Sequence, residues 1–279
     1  IYHNKNSSQI PDIIKVNVIK GLIFSGQRDF TPPHIDWFYI DNVVEDLDKS
    51  EDPEIIQALI QIEFFAYRAF ANRRNINELR FIKELMSKPE LLMELIMMVY
   101  KSDDGNEEEV SESEQNNRMV MARCAFSILY DLSCCPGVDD QGNVNPDVLR
   151  SYIYRLYELS VERHRTQVVD MVVGTLLGSL PRNASYPQAI LGEIVEELKS
   201  DSVDEHIRIR IFNSRGVTVR GFAEGGDQER SLAALFRSYR DKVKFTYPRL
   251  VKIFTKLMNE YERDANREDC MAQLKDLEY

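Results

Sequence analysis

The chain is poor in the residues from which most catalytic and metal sites are made. It has four histidines, His3, His34, His164 and His206, and none lies four residues from another or in an H-E-x-x-H frame. This excludes the paired imidazoles on one helical turn that hold zinc. It also leaves no histidine acid–base pair that spacing can assign. Arg28 stands six residues before His34, a spacing found in some helical ribonucleases, but Pro32 and Pro33 lie between them and deny it helical geometry. The four cysteines, Cys124, Cys134, Cys135 and Cys270, lack zinc-site spacing. The neighbours Cys134 and Cys135 stand closer than an ordinary disulfide requires. All four are read as reduced thiols of a cytoplasmic protein. No run of 18 apolar residues is present, which excludes a transmembrane helix, and no basic-then-apolar segment opens the chain. Positive charge is in deficit: the formal net charge is -11. Non-specific nucleic-acid or anionic-membrane binding needs the opposite field, although a local basic patch stays possible. No metal and no cofactor is expected, and no membrane partner.

What the chain has is helical periodicity. Hydrophobic residues make up 43% of its 279 positions, enough for a large core in one or two domains. Pro11 begins a helix running to about Phe24, and Ile35, Phe38, Val43 and Leu47 form the stripe of the next. Asp52 caps a helix with Pro53 at its first position, whose apolar face is Ile55, Ile56, Leu59, Ile60 and Phe64 and which extends to about Ala71. Asn145 and Pro146 repeat that start signal further on. About a dozen helices follow in this way. Strand-like alternation is nearly confined to "IRIRIF" at 207–212, read as helix with a short strand as the alternative. The fold class expected is all-α: an irregular helical array, resembling an α-solenoid of antiparallel helix pairs without a fixed-length repeat.

Composition divides the array. Residues 1–101 form an N-terminal helical subdomain. The stretch 102–117 has seven acidic residues and no basic one and is read as a solvated loop whose tail, from Ser113, begins the next helix. Residues 118–212 form a central helical subdomain, and 213–279 a Gly/Arg connector with a C-terminal helical pair. Because the chain opens at Ile1 on an apolar run without a polar cap, it is read as a segment of a longer protein; a processed N-terminus is the alternative.

The connector, "NSRGVTVRGFAEGGDQER" at 213–230, holds four of the chain's 12 glycines. It is not a Walker loop, for no Lys-Ser/Thr follows its glycines, and it lacks G-x-G-x-x-G. Acidic Glu224 and Asp227 flank the glycine pair and repel phosphate. Gly225 and Gly226 are expected at positive φ, with Asp227 as the N-cap of the next helix. Arg208, Arg210, Arg215, Arg220 and Arg230 fall within 23 residues. Pairing with Glu205, Glu224, Asp227 and Glu229 accounts for them structurally. A phosphate or nucleic-acid surface, or docking onto an acidic neighbouring domain, are the functional alternatives. An enzyme would show a deep polar pocket around Arg215.

The residues Asn213 to Val217 (including Gly216), Arg220, Glu224 to Gly226, Gln228 to Arg230 (including Glu229), Tyr239-Arg240, Pro248-Arg249 and Tyr261 to Asp269 form one motif block. It resembles the C-terminal helical region of large bacterial multidomain proteins of the defence or signalling kind, in which an NTPase or effector lies elsewhere. "SKPELLMELIMMVYK" and "NVNPDVLRSYI" resemble upstream parts, so the likeness spans about 35–275. It implies no catalytic residue for this region. The expectation is a non-catalytic interaction, scaffold or sensor module whose partner is a protein or a neighbouring domain; the alternative is a nucleic-acid-binding array using Arg208 to Arg230.

Overall fold

The computed structural model of the chain describes residues 10–24, 37–105, 112–216, 219, 221 and 224–276. Arg28, His34, Ile35, Val217 and Arg220 lie outside them. Every regular element among the described residues is helical. They are α1 (Asp12–Phe24), α2 (Trp37–Leu47), α3 (Pro53–Phe65), α4 (Tyr67–Ala71), α5 (Arg80–Ser87), α6 (Pro89–Val99), α7 (Glu112–Asp131), α8 (Pro146–Glu162), α9 (Thr166–Gly178), α10 (Ala189–Leu198), α11 (Asp201–Asn213), α12 (Asp227–Val243) and α13 (Pro248–Asp276), with one 3-10 turn at Ile76–Glu78. "IRIRIF" is helix. The protein is an all-α array of packed helices. By internal contacts the chain divides into two units, Ile1–Leu132 with Glu162–His164, and Ser133–Val161 with Arg165–Tyr279.

In the first unit, Asp52 accepts from the Glu54 N–H at 2.9 Å and Pro53 opens α3, so the start signal works as its chemistry dictates. The helix expected to run unbroken to Ala71 is instead interrupted. Ala66 sits at φ -98°, ψ 15° and separates α3 from α4. On α2 the buried stripe is Trp37, Ile40, Val43, Val44 and Leu47, and Phe38 is 66% exposed rather than part of it. Trp37 takes the core position because its ring stands edge-on to Phe70, centroids 5.9 Å apart. On α3, Ala58 and Ile62 join Ile55, Leu59 and Phe64 in the core, while Ile56 and Ile60 are half-buried. Buried among them is a carboxylate, Glu63, which accepts from the Phe81 N–H at 2.7 Å and so caps the start of α5. Burial, the leading cause, pushes its pKa up to about 7. As expected, the tail of the acidic stretch 102–117 already begins a helix: α7 starts at Glu112, one residue before Ser113, and 106–111 lie outside the described residues.

In the second unit the start signal is repeated, with Asn145 Oδ1 accepting from the N–H groups of Asp147 and Val148 at 3.1 and 3.2 Å. Alternate helices lie side by side and parallel. Going along α9 from Asp170 to Ser179, the partners on α11 and its cap advance from Ser200 to Arg210. Going along α11 from Asp204 to Arg208, the partners on α13 advance from Arg249 to Glu260. α8 and α10 are parallel as well, through Arg150 to Glu193 and Tyr154 to Glu197. The close approach of α9 and α11 is possible because Gly174 and Gly178 face it; a Cβ there would meet His206 Cβ at 2.5 Å and Arg210 Cβ at 2.7 Å. The last two helices, α12 and α13, are antiparallel. Phe236, Tyr239, Phe254 and Tyr261 interleave between them, with Phe236 stacked on Tyr261 at 5.6 Å. Each such buried aromatic contributes about 1.5–3 kcal/mol, against about 0–1 kcal/mol for an exposed ion pair. Aromatic packing therefore holds the hairpin and the charges set its register.

Candidate functional site

The Gly/Arg stretch lies where α11 ends, α12 begins and α13 nears its own end. Gly225 has φ +56°, as expected, but Gly226 has φ -95°. What Gly226 requires is space: a Cβ would lie 2.3 Å from the Ala265 carbonyl oxygen and 2.5 Å from its Cα. Gly226, not Asp227, is the N-cap of α12, without a side-chain cap bond, and Asp227 is its first helical residue. The Gly226 N–H is taken instead by Asp269 Oδ1 at 2.8 Å, since the backbone contact with Ala265 puts that carboxylate within reach.

Two arginines complete the junction. Arg230 donates to Asp269 Oδ2 at 2.6 Å and to Asp227 Oδ1 at 2.7 Å. That bond, and next the one from Gly226, hold the Asp269 pKa below the usual carboxylate value. Arg215 pairs with Glu229, whose side chain is 1% exposed, and its guanidinium lies over the Tyr261 ring at 5.8 Å. A charge buried to this degree stays ionised only when paired. Residues 43 positions apart, Gly226 and Asp269, thus form one lock with Arg215, Glu229, Arg230 and Tyr261. Glu224 accepts from Gly221 N–H at 2.8 Å and from Gln228 Nε2 at 3.0 Å, and Gln228 also reaches the Val219 carbonyl at 3.1 Å. Gly216, at φ +71°, turns the chain after α11.

The upstream arginines go elsewhere. Arg208 bridges Glu205 at 2.5 Å and Glu260 on α13 at 2.6 Å, and the hydrogen bond from Arg208 brings the Glu205 pKa down to about 2. Arg210 reaches across to α9 and donates to the Ser179 hydroxyl at 2.8 Å. Sequence spacing did not single out Glu260, Ser179 or Arg182, and it placed Asp269 in the motif block without pairing it with Gly226 or Arg230; all four lie on other elements than the cluster. The repeat of Gly174 and Gly178 at four residues was the available signal for the tight α9–α11 contact.

A cleft of 190 Å³ opens between α11 and α13, lined by Asp201, Asp204, Lys252, Ile253 and Lys256, and so does not lie around Arg215. Arg249 spans Asp201 and Asp204, both at 2.8 Å, and its backbone N–H reaches Glu196 at 2.6 Å. Burial raises the Asp204 pKa against the lowering effect of Arg249. Arg249 thus ties α13 to the start of α11. All four thiols are free, and burial pushes Cys124 and Cys134 up to about 11. Among the described residues no group of three metal-ligating side chains converges, and no helix is long and apolar enough to cross a membrane. The fold and the junction thus define an all-α helical protein with an interhelical lock. Compared with family models, curated proteins and solved structures, the chain matches none.

Proposed function

We propose that the chain is a non-catalytic helical interaction or sensor module of a larger protein. The observation that carries this is the fate of its most distinctive residues. Gly226, Arg215, Glu229, Arg230, Tyr261 and Asp269 meet one another rather than a shared ligand position. A signature spent on joining helices belongs to a structural array whose outer faces do the recognising. The parallel order of α9, α11 and α13, with α10 and α12 returning between them, supports a helical-repeat or α-solenoid-like stack in the second unit. In this reading, which the resemblance of the motif block supports, the module belongs to a bacterial multidomain protein of defence or signalling, works in the cytoplasm and has a protein or neighbouring domain as partner. The nucleic-acid alternative has lost much of its basis, because Arg208, Arg215 and Arg230 are neutralised by carboxylates. The test is in-cell crosslinking from exposed helix positions, followed by reconstitution of the crosslinked species with purified protein. A protein complex of fixed stoichiometry supports the module. Crosslinks to DNA or RNA, with binding that weakens steeply with salt, would overturn it.

A further inference from the structure

Two arginines at the ends of α9 and α11 differ from those that hold the junction and the cleft. Arg208, Arg215, Arg230 and Arg249 each hold a carboxylate. Arg182 and Arg210 hold none among the described residues; each is bound to a serine hydroxyl. The bonds cross reciprocally. Arg210, near the end of α11, donates to Ser179 at the end of α9, at 2.8 Å, and Arg182, just after α9, donates to Ser214 at the end of α11, at 2.6 Å. Each hydroxyl in turn donates to a helix carbonyl, Ser179 to Thr175 at 2.8 Å and Ser214 to Ile211 at 2.6 Å. Their lone pairs are thereby left for the guanidinium groups. The stem of Arg210 runs against Gly178, where a Cβ would lie 2.7 Å from its own Cβ. The arrangement is therefore built before any ligand arrives.

Burial lowers the Arg210 pKa; Cys134 opposes it, and the charge of Arg182 adds a smaller lowering. In a chain of net charge -11, a half-buried cation beside a second one without a carboxylate is an unbalanced charge. The C-terminal dipole ends of α9 and α11 offset only part of it. Two guanidinium groups with remaining N–H donors, oriented by the two hydroxyls that accept from them, suit a tetrahedral dianion.

We propose that Arg182 and Arg210 form a binding site for a phosphate dianion, free or as the terminal monoester of a small ligand. The assignment does not depend on the interaction-module proposal. It is tested by calorimetric titration of the full chain with inorganic phosphate, with adenosine monophosphate and with adenosine, in an amine buffer at constant ionic strength. Saturable binding of the two phosphates at millimolar concentration or below is expected, with none of adenosine. R182Q and R210Q each weaken it about ten-fold or more, and R237Q, which breaks an exposed pair with Glu262, leaves it unchanged. Tighter binding of the nucleotide assigns the site to a monoester, and equal affinity assigns it to the free anion. Arg182 is exposed, so R182Q keeps the test decisive if R210Q does not fold. Absence of saturable phosphate binding, or binding that R182Q leaves intact, would overturn the proposal.

Discussion

Gly226→Ala tests the lock with the smallest possible change. The added methyl would lie 2.3, 2.5 and 2.7 Å from the Ala265 oxygen, Cα and carbonyl carbon. These are backbone atoms in the middle of a long helix, so no side-chain rotation relieves the contact. Either α12 moves off α13 or the junction opens. Overpacking costs about 1–3 kcal/mol even where side chains can adjust. The displaced Gly226 N–H also loses its charge-assisted bond to Asp269, about 1.5–3 kcal/mol. A total of about 2.5–6 kcal/mol lowers the midpoint of the second unit by about 5–24 °C. The neighbouring Gly225→Ala places its methyl 2.7 Å from Asp269 Oδ1, a side-chain atom that can swing away. Its positive φ of +56° then costs only about 1–2 kcal/mol. Thermal unfolding by far-ultraviolet circular dichroism gives the order, and hydrogen–deuterium exchange of α12 and α13 peptides localises the loss. If Gly226→Ala cost less than about 1 kcal/mol, or less than Gly225→Ala, the close-contact reasoning would be refuted.

Three further outcomes follow from the first unit and the thiols. The raised Glu63 pKa means that the folded chain binds a proton that the unfolded chain releases between about pH 4.5 and 7. Stability in wild type therefore falls as pH rises through that window, by about 3 kcal/mol, and E63Q should flatten the slope in urea unfolding followed by Trp37 fluorescence; equal slopes would contradict it. Asp52→Ala should cost about 1 kcal/mol in the same assay, because it leaves the Glu54 N–H uncapped, and an unchanged midpoint would dismiss the cap. With a chromogenic disulfide at pH 8, only the exposed Cys270 should react quickly in the native protein, and all four thiols should react after denaturation; two or more fast native thiols would refute the burial of the others.

The helices were legible because their signals are local. Asp52-Pro53 and Asn145-Pro146 announce starts by capping chemistry alone, and both are observed. Phe38 shows where local signals fail. Its spacing to Val43 and Leu47 fits a stripe as well as that of Trp37, and only the tertiary contact with Phe70 decides between them. The break at Ala66 is likewise tertiary, since no glycine or proline marks it. At the junction, composition drew attention to the right residues, and the ion pair of Arg215 with Glu229 was among those weighed. Gly226 was assigned the wrong reason. A glycine pair advertises positive φ, but a sequence does not reveal that the Ala265 backbone lies against one of them. Asp269 and Glu260 could not be found by spacing, because pairing across 39 and 52 residues depends on how α13 docks. Arg182 was missed for the same reason: its partner Ser214 lies 32 residues away.

The measurement that decides whether the signature is a lock is a double-mutant cycle on Arg215 and Glu229. Stability is read for Arg215→Met, Glu229→Met and the pair. Breaking a buried ion pair from either side should cost about 3–5 kcal/mol, because it strands a charge whose partner is 1% exposed. Removing both should cost less than the sum by a coupling of about 1–3 kcal/mol. Single variants within about 0.5 kcal/mol of wild type, and a double variant that is simply additive, would contradict the lock and return Arg215 to the role of a side chain held out for a ligand.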